Sequence, residues 1–196
     1  MIKLFLSASV PLPGRNEKYL ATADVLAIRD SVKALVTSVL DQGLIVFGGH
    51  PAITPLIALL LRGMQPETKR RVILFQSAFF QKDFLDENDE FIDLRLTEAV
   101  PGDRDESLRR MRKAMITAQK YDAAIFVGGM EGIHEEYRAF HLAHPNAPCF
   151  PIASTGAAAL ELYDKVGKGR RDLIYELTYP TLFRNLLQEI AEKKTT

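Results

Sequence analysis

Neither sign of charge is in excess in this 196-residue chain: lysine plus arginine number 25, and aspartate plus glutamate 25. That balance removes the electrostatic basis for non-specific nucleic-acid binding, so a small molecule is the expected ligand and no nucleic-acid partner is expected. Cysteine is nearly absent. Cys149 is the only one, so no intrachain disulfide can form, and no CxxC pair or Cys/His cluster of the structural-zinc kind occurs. We therefore expect no metal, no cofactor and a reducing, cytoplasmic setting. No apolar run reaches bilayer length, because "ITPLIALLLRGM" is cut by Pro55 and Arg62. The opening "MIKLFLSASVPLPGR" reads as a strand followed by a polar loop rather than a secretory leader, so a soluble protein with no membrane partner is expected. There is no GKS or GKT. The adjacent glycines of "GGHPAI" and "GGMEGI" also miss the GxGxxG spacing, which disfavours a P-loop nucleotidase and an ordinary Rossmann dehydrogenase.

What is present is an alternation. Apolar runs of strand length recur at "IKLFLSAS", "GLIVFGG", "RRVILFQS", "DAAIFVGG" and "PCFPIAS", and most lead into a stretch of helical periodicity. Near-continuous apolar strands suit a parallel sheet covered on both faces. The expected fold is thus α/β, a three-layer Rossmann-like parallel sheet with helices on both faces, as one domain over residues 1–196. Helices are expected over about residues 19–41, 54–63, 105–120, 134–143, 156–166 and 180–193. The polar segment "QKDFLDENDEFIDLRLTEAVPGDRDE" interrupts the alternation and reads as loops around a short edge strand, "FIDLRL", with its acidic run solvated.

Three strands end in small-residue turns that run into helices: "FGGHPAIT", "VGGMEGIHEE" and "ASTGAAAL". In open parallel sheets, ligands bind beyond the carboxyl ends of the strands, and glycine lets backbone N–H groups approach an anion there. The three turns are expected to line one crevice. In the first, Gly48 and Gly49 either clear space for a phosphate or ribose, with Thr54 offering a hydroxyl, or are tight-turn glycines beside a turn residue, His50. In the third, Ser154, Thr155 and Gly156 either donate hydroxyl and N–H groups to a ligand or cap a helix whose alanines pack on the sheet. After the first strand, Ser7, Ser9 and Arg15 are candidate ligand contacts, Arg15 as a phosphate clamp or as an exposed loop residue.

The middle turn carries more. "RRMRKAMITAQKYDAAIFVGGMEGIHEEY" orders a basic helix, a buried strand, a glycine turn and an acidic helix start. This ordering resembles the SLOG superfamily, whose Lonely Guy phosphoribohydrolases carry an RK-containing helix, a strand and then PGGxGTxxE. Arg112 and Lys113 match the basic pair, Gly128 and Gly129 the paired glycines, Gly132 the next glycine and Glu136 the closing glutamate. Val127 stands in the proline position, the loop is one residue longer, and Ile133 replaces the phosphate-binding threonine. With "FLSAS", "FGGHP" and "PIASTGAAA", the chain is similar over nearly its whole length to the sensor branch of SLOG, which is associated with TIR and Thoeris defence systems.

The resemblance implies a ligand-binding loop of Gly128, Gly129, Met130, Glu131 and Gly132, with Arg112 and Glu136 in the functional roles. As a sensor, the crevice would hold a nucleoside phosphate or an ADP-ribose-like signal, Glu136 accepting ribose hydroxyls and Arg112 contacting phosphate. As a hydrolase, it would cleave the N-glycosidic bond of a nucleoside 5'-monophosphate, with Glu136 and Arg112 catalytic. A non-binding regulatory subunit is the third reading. Binding needs fewer parts and survives the lost threonine. The resemblance also implies a homo-oligomer and a possible separately encoded effector. From the residues alone, a glutamate in a first helical turn is ordinary dipole chemistry. His134 reads as a helix-start residue, His141 and His144 as surface positions, and Tyr137 and Phe140 as either base-stacking or core residues.

Overall fold

The structure, a computed structural model, describes residues 1–14 and 17–195. Arg15 lies outside the described residues. Six strands, β1 (Ile2–Ser9), β2 (Gly43–Gly48), β3 (Val72–Ser77), β4 (Asp93–Thr97), β5 (Ala123–Gly128) and β6 (Cys149–Ile152), form one sheet in the order β4-β3-β2-β1-β5-β6. Every neighbouring pair is parallel. The intervening helices are α1 (Glu17–Leu20), α2 (Val25–Val39), α3 (Thr54–Leu61), α4 (Pro66–Lys69), α5 (Arg104–Thr117), α6 (Glu131–Ala143), α7 (Ala157–Leu162), α8 (Asp172–Tyr175) and α9 (Tyr179–Thr195). This is the expected three-layer α/β arrangement, with "FIDLRL" supplying most of the edge strand β4. No helix among the described residues is long and apolar enough to cross a membrane.

Strand alternation builds both apolar layers at once. Leu4, Leu6, Ile45, Phe47, Leu74, Ile125 and Val127 face α2, α3 and α9. Their neighbours Phe5, Val46, Ile73, Phe75, Ala124 and Phe126 face α5, α6 and α7. A side chain such as Phe5 or Leu4, with no exposed surface, contributes roughly 1.5–3 kcal/mol through burial. By the same alternation Ser7 falls on the Phe5 face, toward α5 and α6.

The chain builds outward from β1 to β4 and then returns to the other side of β1 to lay down β5. Connections therefore diverge between β1 and β5, and a crevice opens there beyond the carboxyl ends of the strands. The register places Ser9 opposite Gly128.

Several boundaries differ from expectation for local reasons. The single helix expected over 19–41 is two, because Asp24 adopts an extended conformation and its carboxylate accepts the Ala27 N–H at 2.9 Å, starting α2 afresh. Helix α6 begins at Glu131, three residues earlier than expected, as the glycine turn is shorter than its length in sequence suggests. Past Leu162, the α7 segment continues as a π-helical turn over Tyr163–Gly167. The polar segment after β3 is not a plain loop: it folds into two 3₁₀ turns, Ala78–Asp83 and Asp86–Glu90.

One glycine holds distant parts together. Gly156 has φ +70°, and a Cβ there would stand 1.8 Å from the Thr22 carbonyl oxygen. Gly156→Ala is expected to reduce the unfolding free energy by at least about 2 kcal/mol, combining left-handed strain with a backbone clash. Gly63→Ala, at φ +79° with open space around it, carries the strain alone and serves as the control in the same urea titration. Equal losses in the two variants would show that the Thr22 contact adds nothing.

Candidate functional site

A crevice of about 420 Å³ lies over the carboxyl ends of β1, β2, β3 and β5. Its floor toward β5 is a three-residue cluster. Ser7, from the last turn of β1, is buried and donates its hydroxyl to Glu136 Oε2 at 2.5 Å. Glu136, on α6, accepts from Arg112 Nε at 3.3 Å through its other oxygen. Arg112, on α5, also pairs with the more exposed Glu135. Three elements far apart in sequence thus converge on one carboxyl group, because β1 and β5 are neighbours and α5 and α6 cover the same face of them.

Burial pushes the Glu136 carboxyl above its ordinary value of 4.5, and the opposing pull of the Arg112 charge and the Ser7 hydrogen bond does not cancel that rise. A carboxyl only 16% exposed, held between a hydroxyl and a guanidinium, is poised to accept hydrogen bonds from a ligand entering the crevice.

Beside it stands the start of α6. In its first turn the Ile133 N–H donates to the Met130 carbonyl at 3.0 Å, and the side chain of Met130, the N-cap residue, supplies no bond to the Glu131 and Gly132 N–H groups. Met130, Glu131 and Gly132 all line the crevice. A Cβ on Gly132 would lie 3.1 Å from Arg112 Nη2, so glycine lets the guanidinium sit against the helix start. The positive end of the helix and the Arg112 charge together favour an anion.

The paired glycines act differently from a phosphate cradle. Gly128 and Gly129 have φ values of +57° and +83° and are buried. Their N–H groups are committed within the protein, Gly128 to Thr155 Oγ1 at 2.9 Å and Gly129 to the Ser9 carbonyl at 2.8 Å. They shape the turn; the N–H groups facing the crevice follow them. Ile133, in the position of the family's threonine, is buried against Gly129, where a Cβ would meet its Cγ1.

Gly48, Gly49 and Ser9 line the crevice with Ser7. Thr54 does too, but its Oγ1 accepts the His50 N–H at 3.0 Å, which closes the turn into α3. Ser154, Thr155 and Gly156 do not line it. Ser154 Oγ lies 3.1 Å from the Tyr179 hydroxyl, and Thr155, besides bonding Gly128, donates to the Ile152 carbonyl. The start of α7 is closed by Thr22, whose hydroxyl accepts the Ala157 N–H at 3.0 Å. The expectation that all three turns share one crevice is therefore corrected: the β6 turn braces the β5 turn from behind. Lys113, the second residue of the basic pair, faces solvent.

His134 turns away from the crevice to Glu161 Oε2 at 2.9 Å. His141 is exposed as expected, whereas His144 is half-buried, with Nε2 2.8 Å from the Ile116 carbonyl and its ring against Phe140 and Tyr121. Phe140 is a core residue, and Tyr137 packs edge-on to Phe126. Among the described residues no group of three or more His, Cys, Asp or Glu side chains is placed to hold a metal ion.

Sequence reasoning missed the far end of the crevice. Gln76, Phe80 and Phe84 line it, on and just after β3. The aromatic positions inside an otherwise acidic segment were the available signal.

One family model, described as the SLOG cluster3 family, matches residues 18–187. No curated protein and no solved structure matches the chain.

Burial of the Glu136 carboxyl makes folding sensitive to pH. Its neutral form is favoured by folding, so its contribution to stability is fully present below about 4.5 and is lost as the pH rises through the higher folded value. Glu136→Gln, fixed as neutral, is expected to flatten that loss and to melt higher than the parent at pH 8, with no gain at pH 4. A variant that melts lower at pH 8 would mean that the Arg112 attraction outweighs burial.

Proposed function

The chain belongs to the SLOG cluster3 family, and from that membership together with the crevice we propose that it binds a nucleotide or nucleotide-derived signal, a nucleoside phosphate or an ADP-ribose-like molecule, as a sensor. The observation that carries this reading is the Ser7–Glu136–Arg112 cluster set beside the uncapped start of α6. The cluster offers a carboxyl acceptor for ribose hydroxyls. The helix start and the guanidinium offer donors and positive charge for a phosphate.

Binding would rearrange what is already there. Arg112 is held by Glu135 and Glu136, so a phosphate competes with two carboxylates for it. Ser7 remains within reach of Glu136 while a ribose hydroxyl takes the free lone pairs of that carboxyl. Ser9 and Gly132 line the approach. The apolar Ile133 in place of a hydroxyl removes one phosphate contact, which binding tolerates more readily than turnover.

A second reading, hydrolysis of the N-glycosidic bond of a nucleoside 5'-monophosphate, draws on the raised Glu136 value. A carboxyl shifted toward neutrality suits proton transfer, and as a carboxylate it stabilises an oxocarbenium-like transition state. In that reaction water adds to the anomeric carbon and the base departs with a proton. Assembly into homo-oligomers and coupling to a separately encoded effector belong to the sensor reading as further parts of the proposal.

Incubating the protein at near-stoichiometric concentration with nucleoside monophosphates, ADP-ribose and cyclic ADP-ribose, then filtering and chromatographing both fractions, separates the readings. Intact nucleotide retained with the protein is expected; free base and ribose phosphate in the filtrate would favour hydrolysis. Arg112→Ala is expected to weaken retention about tenfold or more, and Glu136→Ala to weaken it less while removing any turnover. Unchanged affinity in Arg112→Ala, measured by calorimetry, would take Arg112 out of the site.

A further inference from the structure

Opposite the Glu136 end, the crevice is of a different character. Helix α5 runs along it, presenting Arg112 at one end and Leu108 and Arg104 toward the other, a stripe spaced at one helical face. From Arg112 to Arg104 the helix advances about 12 Å, at roughly 1.5 Å per residue. The far end is walled by Phe80 and Phe84. The Arg104 guanidinium carbon lies 5.9 Å from the Phe80 ring centroid, holding one side of that wall.

Gln76 projects into this end. Among the described residues its carboxamide makes no hydrogen bond, although its backbone carbonyl accepts one from Thr97. The group lies directly over Gly49, where an added Cβ would stand 2.2 Å from Nε2 and 2.5 Å from Oε1. Gly49 thus makes the space that the carboxamide occupies. An unpartnered carboxamide beside aromatic rings presents one donor and one acceptor to a planar heterocycle. Asp83, also lining this end, adds acceptors only.

Resting on the nucleotide-binding reading above, we propose that the β3 end of the crevice is a nucleobase subsite, in which Gln76, held over Gly49, reads a base edge that sets one hydrogen-bond donor beside one acceptor. For an exocyclic amino group beside a ring nitrogen, the amide oxygen of Gln76 accepts from the amino group and its NH₂ donates to the ring nitrogen. An oxo group beside a ring N–H is met by turning the amide over. Stacking on the aromatic wall supplies affinity common to all bases, and Gln76 adds the paired hydrogen bonds.

The test compares calorimetric affinities of the full chain for adenosine 5'-monophosphate, inosine 5'-monophosphate and ribose 5-phosphate. The first two share ribose and phosphate and differ in the base edge. The parent is expected to bind both nucleotides about tenfold or more tightly than ribose 5-phosphate. Gln76→Ala is expected to weaken both nucleotides about tenfold while leaving ribose 5-phosphate affinity unchanged. Gly49→Ala, whose added Cβ displaces the flexible end of Gln76, is expected to weaken both nucleotides as well, and because it leaves Gln76 in the chain it separates position from presence. Ribose 5-phosphate binding as tightly as both nucleotides would overturn the base subsite and leave the phosphate and ribose site standing. Nucleotide affinities unchanged by both substitutions would overturn the role of Gln76, and failure of all three probes to bind would overturn the crevice reading and this inference with it.

Discussion

The turn that leaves β5 has almost no freedom, and the site depends on it. Gly128 and Gly129 take successive positive φ values, and side chains there would collide with Ile28, the Ser9 carbonyl and Ile133. Two hydrogen bonds fasten the turn, one to Thr155 behind it and one to Ser9 beside it. Only with the chain reversed this tightly does α6 begin directly over the end of β1, within reach of Ser7. Glu136 lies one and a half turns into that helix, on the face that looks back at the sheet, so its position is inherited from the glycines. The opening glycines of the motif therefore contribute geometry, and the chemistry falls to the residues after them.

That geometry has an electrostatic consequence. Removing Glu136 from water disfavours its charge, while Arg112 and Ser7 favour it, and the two tendencies are set against each other within one small cluster. The arrangement is under-satisfied by design of the fold: the start of α6 has no side-chain cap, and the guanidinium beside it is balanced by carboxylates rather than by an anion at the helix end. A ligand carrying both a phosphate and vicinal hydroxyls answers both deficits, the phosphate at the helix start and the hydroxyls at Glu136. A lone phosphate answers one, and a neutral sugar the other. Burial of a carboxyl that folding would rather keep neutral is the kind of local cost retained where binding recovers it.

Much of this was legible in the sequence because it rests on local pattern. The strands read as apolar runs, their parallel arrangement followed from alternation with helices, and Arg112 and Glu136 were named together by a motif whose elements are neighbours in the fold. What was not legible depends on contacts between distant segments. Nothing local marks Thr22 as the cap of α7, 135 positions away, and that contact is why Ser154, Thr155 and Gly156 serve the scaffold instead of the crevice. The N–H groups of Gly128 and Gly129 could not be known to be occupied before Thr155 and Ser9 were placed. Asp24 was readable in principle, since an aspartate three residues before a helical N–H is an ordinary cap, but the apolar periodicity on either side masked the break between α1 and α2.

The segment after β3 shows why composition can mislead about function. Its acidic residues read as solvated surface, and several are, yet Phe80, within the first 3₁₀ turn, and Phe84, directly after it, line the crevice. The fold thereby gives the two halves of the crevice different sources. The β1–β5 half is built from the strand ends of the switch point and the helices that cover them, and it handles charge. The β2–β3 half is built from a glycine, a carboxamide and aromatic rings, and its lining is largely uncharged. Helix α5 borders both and fixes their separation, because Arg112 and Leu108 lie on one face of a single rigid element. A change in the segment after β3 therefore reshapes the aromatic half without disturbing the charged half, since the shared ruler is the helix and not the loop.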